Sequence, residues 1–245
     1  MAALRWLFAL AALPGLAATI SLGRLVQERP RPVRTQDATK AGLSPRKSGL
    51  SPRFFFFLLR VVLFTLGNSS DLFLIFYAQT RFGLGLGWVI NLWVLLHLSK
   101  ILFSLPGGWL ADRVGRKAAM IAGWLIYAAV YIAMPFASHF RTVCALLFFY
   151  GVYYGMTEGA ERALVADFVP AKDRGMAYGW YHCTVGFAAL PASLMFGVFW
   201  TGFGPKPAFF IGALLAASAV FTLAGSLVPR RNKKSLLNAD RPGPF

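Results

Sequence analysis

The stretch PGGWLADRVGRK, residues 106–117, carries four charges in its last six residues and lies between two long apolar runs. Of the 245 residues in the chain, 57% are hydrophobic and only 14% are charged, whereas about a quarter of the residues are charged in an average soluble domain. The apolar residues also fall in blocks long enough to cross a bilayer. The sequence therefore predicts an integral membrane protein in which residues 106–117 form a short connection between two spans.

Seven apolar blocks, each of roughly twenty residues, predict an all-α membrane protein with about seven transmembrane helices. The first block also has the features of a signal peptide, with an early Arg5 and small residues after a short apolar core, and its cleavage would leave six spans. The charge distribution favours the retained span. The predicted spans are residues 6–23, 54–79, 84–104, 118–137, 142–160, 175–200 and 207–228.

The cations predict the orientation of these spans. Of the 25 Lys and Arg residues, nineteen fall in one alternating set of connections and four in the other, and two lie inside spans. The positive-inside rule makes the first set cytoplasmic. We therefore expect a protein of the plasma (inner) membrane with its N-terminus outside and its C-terminus in the cytoplasm. The same distribution explains the net charge of +16 by topology and argues against nucleic acid as a partner.

The motif resembles the loop signature of the major facilitator superfamily of secondary transporters, roughly G-x-L-A-D-R-x-G-R-K. Eight positions match at fixed spacing, and 161–179, ERALVADFVPAKDRGMAYG, is similar to a second connection in that family. The resemblance implies a C-terminal transporter half, in which six of the helices form one half bundle and helices one to five of the family are absent. The eight matched residues are Gly108, Leu110, Ala111, Asp112, Arg113, Gly115, Arg116 and Lys117.

On this resemblance the chain divides into four parts. Residues 1–23 are similar to the family's helix six, and residues 24–53 form a basic cytoplasmic linker rich in Pro, Ser and Gly. Residues 54–228 form the six-helix transporter half, and residues 229–245 form a cytoplasmic tail.

The resemblance also implies that the motif is a conformational latch between two halves. Gly108 and the preceding Gly107 would allow a tight turn and a close helix approach, and Asp112 suits a helix N-terminus. The cations would pair with acidic groups or lipid phosphates, and we expect Glu161 to be the acidic partner of Arg113 or Arg116. The alternative is that the cations only set the topology.

Ionisable and polar groups inside spans are candidates for the substrate or ion pathway. Asn68 and Asp71 belong to the run GNSSD, and Asp71 either carries a proton or cation or makes a structural ion pair. Tyr150, Tyr154 and Glu158 share one helix face at four-residue spacing, which favours a cavity lining, although packing explains the tyrosines equally well. Two further ionisable groups, His182 and Lys100, each have an explanation that requires no place in the pathway.

His182 either titrates in a cavity or packs as a neutral side chain. Lys100 is expected to snorkel to the membrane interface. The glycine pair Gly175 and Gly179 predicts a close helix contact.

No nucleophile elbow, phosphate-binding glycine loop or metal-ligand cluster occurs in the sequence, so we expect no enzyme activity, cofactor or metal. The expected function is secondary transport of a small solute by alternating access, in a chain that is an incomplete transporter. The expected partners are the lipid bilayer, a small-molecule substrate and either a missing N-terminal half or a second copy. The rival interpretation is a non-transporting membrane protein, such as a receptor, an interaction module or an inactive remnant.

Overall fold

The computed structural model describes Leu16, residues 19–21 and residues 50–225. The chain divides into two units, residues 1–47 and 48–245. In the first unit the four described residues are helical and belong to the predicted first span, whereas the rest of that span, most of the linker and the C-terminal tail lie outside the described residues. The fold below is that of the second unit.

Seven α-helices and two short 3₁₀ turns make up residues 52–225, and no strand is present in this part of the chain, so the predicted all-α class is confirmed. The 3₁₀ turns are Met134–Phe136 and Ala171–Asp173. The helices are α1 (Pro52–Gly67), α2 (Leu72–Phe82), α3 (Leu86–Val114), α4 (Arg116–Ala133), α5 (Phe140–Phe168), α6 (Arg174–Phe203) and α7 (Pro205–Gly225).

Five segments in this part of the chain are long and apolar enough to span a membrane: Pro52–Phe82, Leu86–Val114, Arg116–Phe136, Ala171–Phe203 and Pro205–Gly225. Helix α5 has 29 residues, as many as α3, which gives a length of about 43 Å. It lies outside this apolar group because tyrosines, glycines and carboxylates replace aliphatic residues along it. The six predicted segments of the second unit therefore each correspond to helical structure, and α5 is the polar one.

The predicted connection at residues 106–117 is wrong in its extent. Helix α3 continues through Pro106 and both glycines to Val114, and α4 begins at Arg116. Membrane helices tolerate an internal proline because neighbouring groups compensate for the missing hydrogen bond. Only Gly115 separates the two helices, and its φ of 96° requires a residue without a β-carbon. The expected tight turn at Gly107 and Gly108 is therefore a turn at Gly115.

Helices α3 and α5 form the closest contact of the bundle. A β-carbon on Gly151 would lie 2.7 Å from the backbone carbonyl carbon of Ser99, and one on Gly155 would lie 2.1 Å from the carbonyl oxygen of Phe103. Two backbones approach this closely only where small residues face each other. The described residues do not make the expected close contact at Gly175 and Gly179, since none of them lies within 4 Å of a β-carbon at either position.

Helices α3 and α6 leave much apolar surface uncovered within the bundle. Only 17% of the most apolar stretch of each is buried, against 56% for Arg116–Phe136. Large side chains such as Trp109 on α3 and Phe187 on α6 are exposed. Two faces of the bundle are therefore available to lipid or to another helical unit.

Candidate functional site

The second predicted span is interrupted at residues 68–71. Helix α1 ends at Gly67 and α2 begins at Leu72, so the run Asn68–Asp71 is a helix break inside one membrane-length segment. Asn, Ser and Asp side chains compete with helical hydrogen bonds, and Gly67 lowers helix propensity further. Continuous helix was expected here, and the break is a correction that brings backbone polar groups into the interior.

Four tyrosines surround the break and are here called the tyrosine cluster: Tyr127 and Tyr131 on α4, and Tyr150 and Tyr153 on α5. All four are buried, and their rings contact one another, with Tyr127 and Tyr131 stacked at 4.2 Å between centroids. Their hydroxyls converge on the polar groups of residues 67–71. The cluster therefore places four hydroxyl groups that can form hydrogen bonds in an otherwise apolar core.

Each hydroxyl of the tyrosine cluster has a partner in the break. Tyr127 donates to the Gly67 carbonyl at 2.7 Å, and the hydroxyls of Tyr131 and Ser69 share a hydrogen bond of 3.1 Å. The Asn68 amide donates to the Tyr153 hydroxyl at 3.1 Å. Among the described residues no buried side-chain nitrogen or oxygen lacks a partner, as a stable interior requires.

Asp71 forms an ion pair within the site. Its carboxylate accepts a hydrogen bond from Tyr150 at 2.7 Å and forms an ion pair with Lys100 of α3. The Lys100 ammonium lies 4.5 Å from the centroid of the Tyr154 ring, within the range of a cation–π contact. The expectation that Lys100 snorkels to the interface is wrong, because α3 extends to Val114 and places Lys100 at its middle.

The predicted stripe on α5 divides into two parts. Tyr150 and Tyr154 both face the ion pair, whereas Glu158, one turn further on, forms an ion pair of 2.6 Å with Arg162 on its own helix. The site therefore brings together Asn68, Asp71, Tyr150 and Tyr154. Glu158 lies toward the α5 C-terminus, and His182 is exposed on α6 with its ring against Tyr181.

Glu161 does not pair with the motif arginines. Its two carboxylate oxygens accept hydrogen bonds from the Trp124 indole at 3.2 Å and the Tyr181 hydroxyl at 2.7 Å. It thereby links α4, α5 and α6. The acidic partner of Arg116 is instead Asp167, at 2.6 Å.

The matched motif residues separate into inward and outward groups. Arg116 also donates to the Ala163 carbonyl at 3.4 Å, and the Lys117 Nζ lies 3.5 Å from the Ala224 carbonyl oxygen. These cations bind the C-terminal ends of α5 and α7, where the helix dipole favours positive charge. Gly108 and Leu110 lie within α3, Ala111 is buried with Ala119 and Ala160, and Asp112 and Arg113 are exposed.

Asp112 is exposed in the last turn of α3 and forms no ion pair with another described residue. Arg113 stacks on the exposed Trp109 ring at 3.8 Å. The helix N-terminus that the resemblance assigns to Asp112 is not among the described residues. These two side chains are the part of the motif that is open to a partner.

Sequence reasoning missed three members of the tyrosine cluster, namely Tyr127, Tyr131 and Tyr153. The first two are four residues apart on one face of a span, a pattern that could have indicated a shared target. No signal in the sequence pairs them with residues 67–71, because that contact joins separate helices. Asp167 lay inside the second family-like connection but was not singled out.

Comparison with known proteins identifies the family. A profile of the Major Facilitator Superfamily matches residues 86–244. An uncharacterized MFS-type transporter of Methanocaldococcus jannaschii is 29% identical over 78% of this chain and 48% of its own length. The niacin transporter NiaP of Acinetobacter baylyi is 31% identical over 53% of this chain and 29% of its own length.

The multidrug resistance protein MdtG of Proteus mirabilis is 33% identical over 51% of this chain and 32% of its own length. The chain thus spans about half or less of the length of these relatives. The superfamily profile covers more than half of the chain and includes the motif and the ion-paired Lys100. These matches confirm the resemblance read from residues 108–117, and the chain belongs to the Major Facilitator Superfamily.

Proposed function

We propose that this chain supplies the C-terminal half of a secondary transporter that moves a small solute across the membrane by alternating access. The observation that carries the proposal is the helix break at residues 68–71 with its ion pair between Asp71 and Lys100. Broken helices with charged groups in the middle of a bundle are the usual construction of transporter sites. Ionisable groups in membrane spans are costly and are kept where they function.

The second part of the proposal is that transport needs another helical unit, either a missing N-terminal half or a second copy. The exposed faces of α3 and α6 support it, as does the chain's span of about half the length of the M. jannaschii relative. Such sites lie between two repeats that rock against each other. Asp112 and Arg113 would latch that unit in one conformation.

The proposed membrane placement follows from the charge bias. Residues 24–53 and 229–245, together with the Gly115 turn, would face the cytoplasm, and the N-terminus would lie outside the plasma membrane. The ion pair lies where α3 and α5 meet the helix break, and in the rival, a non-transporting membrane protein, it would serve only as a structural link. The helix break beside the pair favours the transporter.

Reconstitution in liposomes tests the proposal. The chain alone and a fusion behind the N-terminal half of the M. jannaschii relative are each assayed with an imposed proton gradient. The probes are niacin and 3-(3-hydroxyphenyl)propionate, which appear in the names of relatives, and ethidium, chosen as a test compound for similarity to multidrug resistance proteins. Saturable uptake by the fusion alone, lost in Asp71→Asn, is expected.

Saturable uptake by the chain alone would favour the two-copy form over the missing-half form. Absence of uptake in both preparations, with the proteins correctly inserted, would contradict transport of these solutes.

A further inference from the structure

The Lys100 ammonium occupies a position that has the chemistry of a cation site. It lies between the Asp71 carboxylate, the face of Tyr154 at 4.5 Å and the Tyr150 ring at 5.9 Å. A carboxylate beside aromatic faces is the arrangement that recognises amines and quaternary ammonium groups. In this conformation the cation site is filled by the protein's own Lys100 ammonium.

The anionic side of this position is fixed. Asp71 is the residue immediately before α2, and its carboxylate is held by the hydroxyl of the buried Tyr150 at 2.7 Å. The adjoining Asn68 is held by Tyr153. Moving the carboxylate away would require the helix break and the tyrosine cluster to rearrange together.

The cationic side is held more loosely. The backbone of α3 is fixed next to Lys100, because Ser99 is buried against Gly151 and donates to the Phe148 carbonyl. The Lys100 ammonium has three donors but one acceptor among the described residues, Asp71. Its flexible four-carbon stem allows the ammonium to leave while the helix stays in place.

We propose that Asp71, Tyr150 and Tyr154 form a binding site for an organic cation, and that Lys100 occupies this site as a tethered competitor until the solute arrives. This inference rests on the proposed function and names its substrate class. The two cations exclude each other, because one carboxylate compensates one positive charge and a second ammonium would be repelled. An organic anion would instead have to displace the fixed Asp71.

Binding to the purified full chain tests the proposal without transport. The probes are benzyltrimethylammonium and, as a matched anion, benzenesulfonate, measured by isothermal titration calorimetry. Lys100→Met removes the competitor, Lys100→Arg keeps it, and Lys100→Met combined with Asp71→Asn removes the site. We expect Lys100→Met to bind the cation at least about tenfold more tightly than wild type, a difference of about 1.4 kcal/mol.

Lys100→Arg is expected to bind like wild type, and the double variant to lose the cation. Equal affinity of Lys100→Met and wild type, or no binding to a folded Lys100→Met chain, would overturn the proposal. Tighter binding of benzenesulfonate than of the cation to wild type would overturn it as well.

A second measurement uses wild type and so does not depend on the folding of Lys100→Met. Lysines are dimethylated with ¹³C, which keeps their charge, and the Lys100 resonance is identified by its absence in Lys100→Arg. Benzyltrimethylammonium should move this resonance toward that of exposed lysines, and benzenesulfonate should not. A resonance that stays in place at the highest cation concentration would overturn the proposal, whereas lack of uptake in liposomes would affect the proposed function alone.

Discussion

Gly107 of α3 and Gly155 of α5 meet with no space for a side chain between them. A β-carbon on Gly107 would lie 2.4 Å from both the carbonyl carbon and the carbonyl oxygen of Gly155. Because the obstacle is backbone, the helices themselves would have to separate. This contact lies about two turns beyond Lys100 on α3 and fixes the helix that carries the ion pair.

Gly107→Ala is therefore expected to destabilise the bundle by about 1–3 kcal/mol, the usual effect of overpacking. The neighbouring Gly108→Ala is the matched control, since nothing lies within 4 Å of a β-carbon there. That control should stabilise the helix by about 0.5–1 kcal/mol. Reversible unfolding in mixed detergent micelles measures both, and equal effects of the two variants would contradict the close contact.

Replacing one member of the Asp71–Lys100 pair should lower the free energy of unfolding more than replacing both. Asp71→Asn or Lys100→Met alone is expected to cost about 1–3 kcal/mol, less than the roughly 3–5 kcal/mol of a fully buried pair. The reduction follows from the exposed fractions of the two side chains, 13% for Lys100 and 26% for Asp71. A double-mutant cycle of unfolding free energies checks this.

The control for that cycle is the pair Glu158 and Arg162, which is more exposed and lies within one helix. Its coupling should be about 0.3–0.5 kcal/mol. A coupling at Asp71–Lys100 no larger than the control would be inconsistent with the ion pair.

Tyr127→Phe should destabilise the helix break. The Tyr127 hydroxyl donates to the buried Gly67 carbonyl, which also accepts the Ser69 backbone N–H at 3.2 Å, so the substitution should remove one hydrogen bond worth about 0.5–1.5 kcal/mol. Tyr178→Phe is the control, because that hydroxyl donates to an exposed carbonyl, that of Arg162, which water can satisfy. The midpoints of detergent unfolding compare the two, and a Tyr178 variant that loses as much stability as the Tyr127 variant would speak against this role.

Asp112→Asn and Asp167→Asn should have separate effects. Asp167→Asn removes the ion pair with Arg116. The Arg116 side chain is 40% exposed and that of Asp167 is 53% exposed, so the free energy of unfolding should fall by at most about 1 kcal/mol. Asp112→Asn should leave the stability of this chain unchanged and slow uptake by the fusion protein, because its expected partner belongs to the other half. Unchanged uptake rates in Asp112→Asn would argue against the latch.

Cysteine labelling checks the proposed topology. In a background in which Cys144 and Cys183 are replaced by serine, Ser48→Cys and Ser235→Cys should resist a membrane-impermeant maleimide in intact cells. Both should react once the cells are permeabilised, because the positive-inside rule places these segments in the cytoplasm. Rapid labelling of both cysteines from outside intact cells would contradict the proposed orientation.

The sequence predicted the helices well, because long apolar blocks have few alternatives to membrane-length helices. It also singled out Asp71, Tyr150 and Tyr154, which the structure brings together, since polar residues are conspicuous in such blocks. The prediction for Lys100 failed because a lysine reaches the membrane interface only if it lies near the end of its helix. Pro106 and the two glycines after it were interpreted as that end, whereas α3 continues to Val114. Partners such as Tyr131 for Ser69 or Asp167 for Arg116 are set by helix packing, which no local pattern encodes.

The single-residue connection at Gly115 has a practical consequence for engineering the chain. An inserted tag or rigid fiducial domain at that point would have to replace a residue with φ of 96° while both flanking helices keep their positions. The connection between α5 and α6, residues 169–173, contains a proline and a short 3₁₀ turn whose residues are not buried. Fusions for imaging by electron microscopy should therefore be accepted around Lys172 and rejected at Gly115.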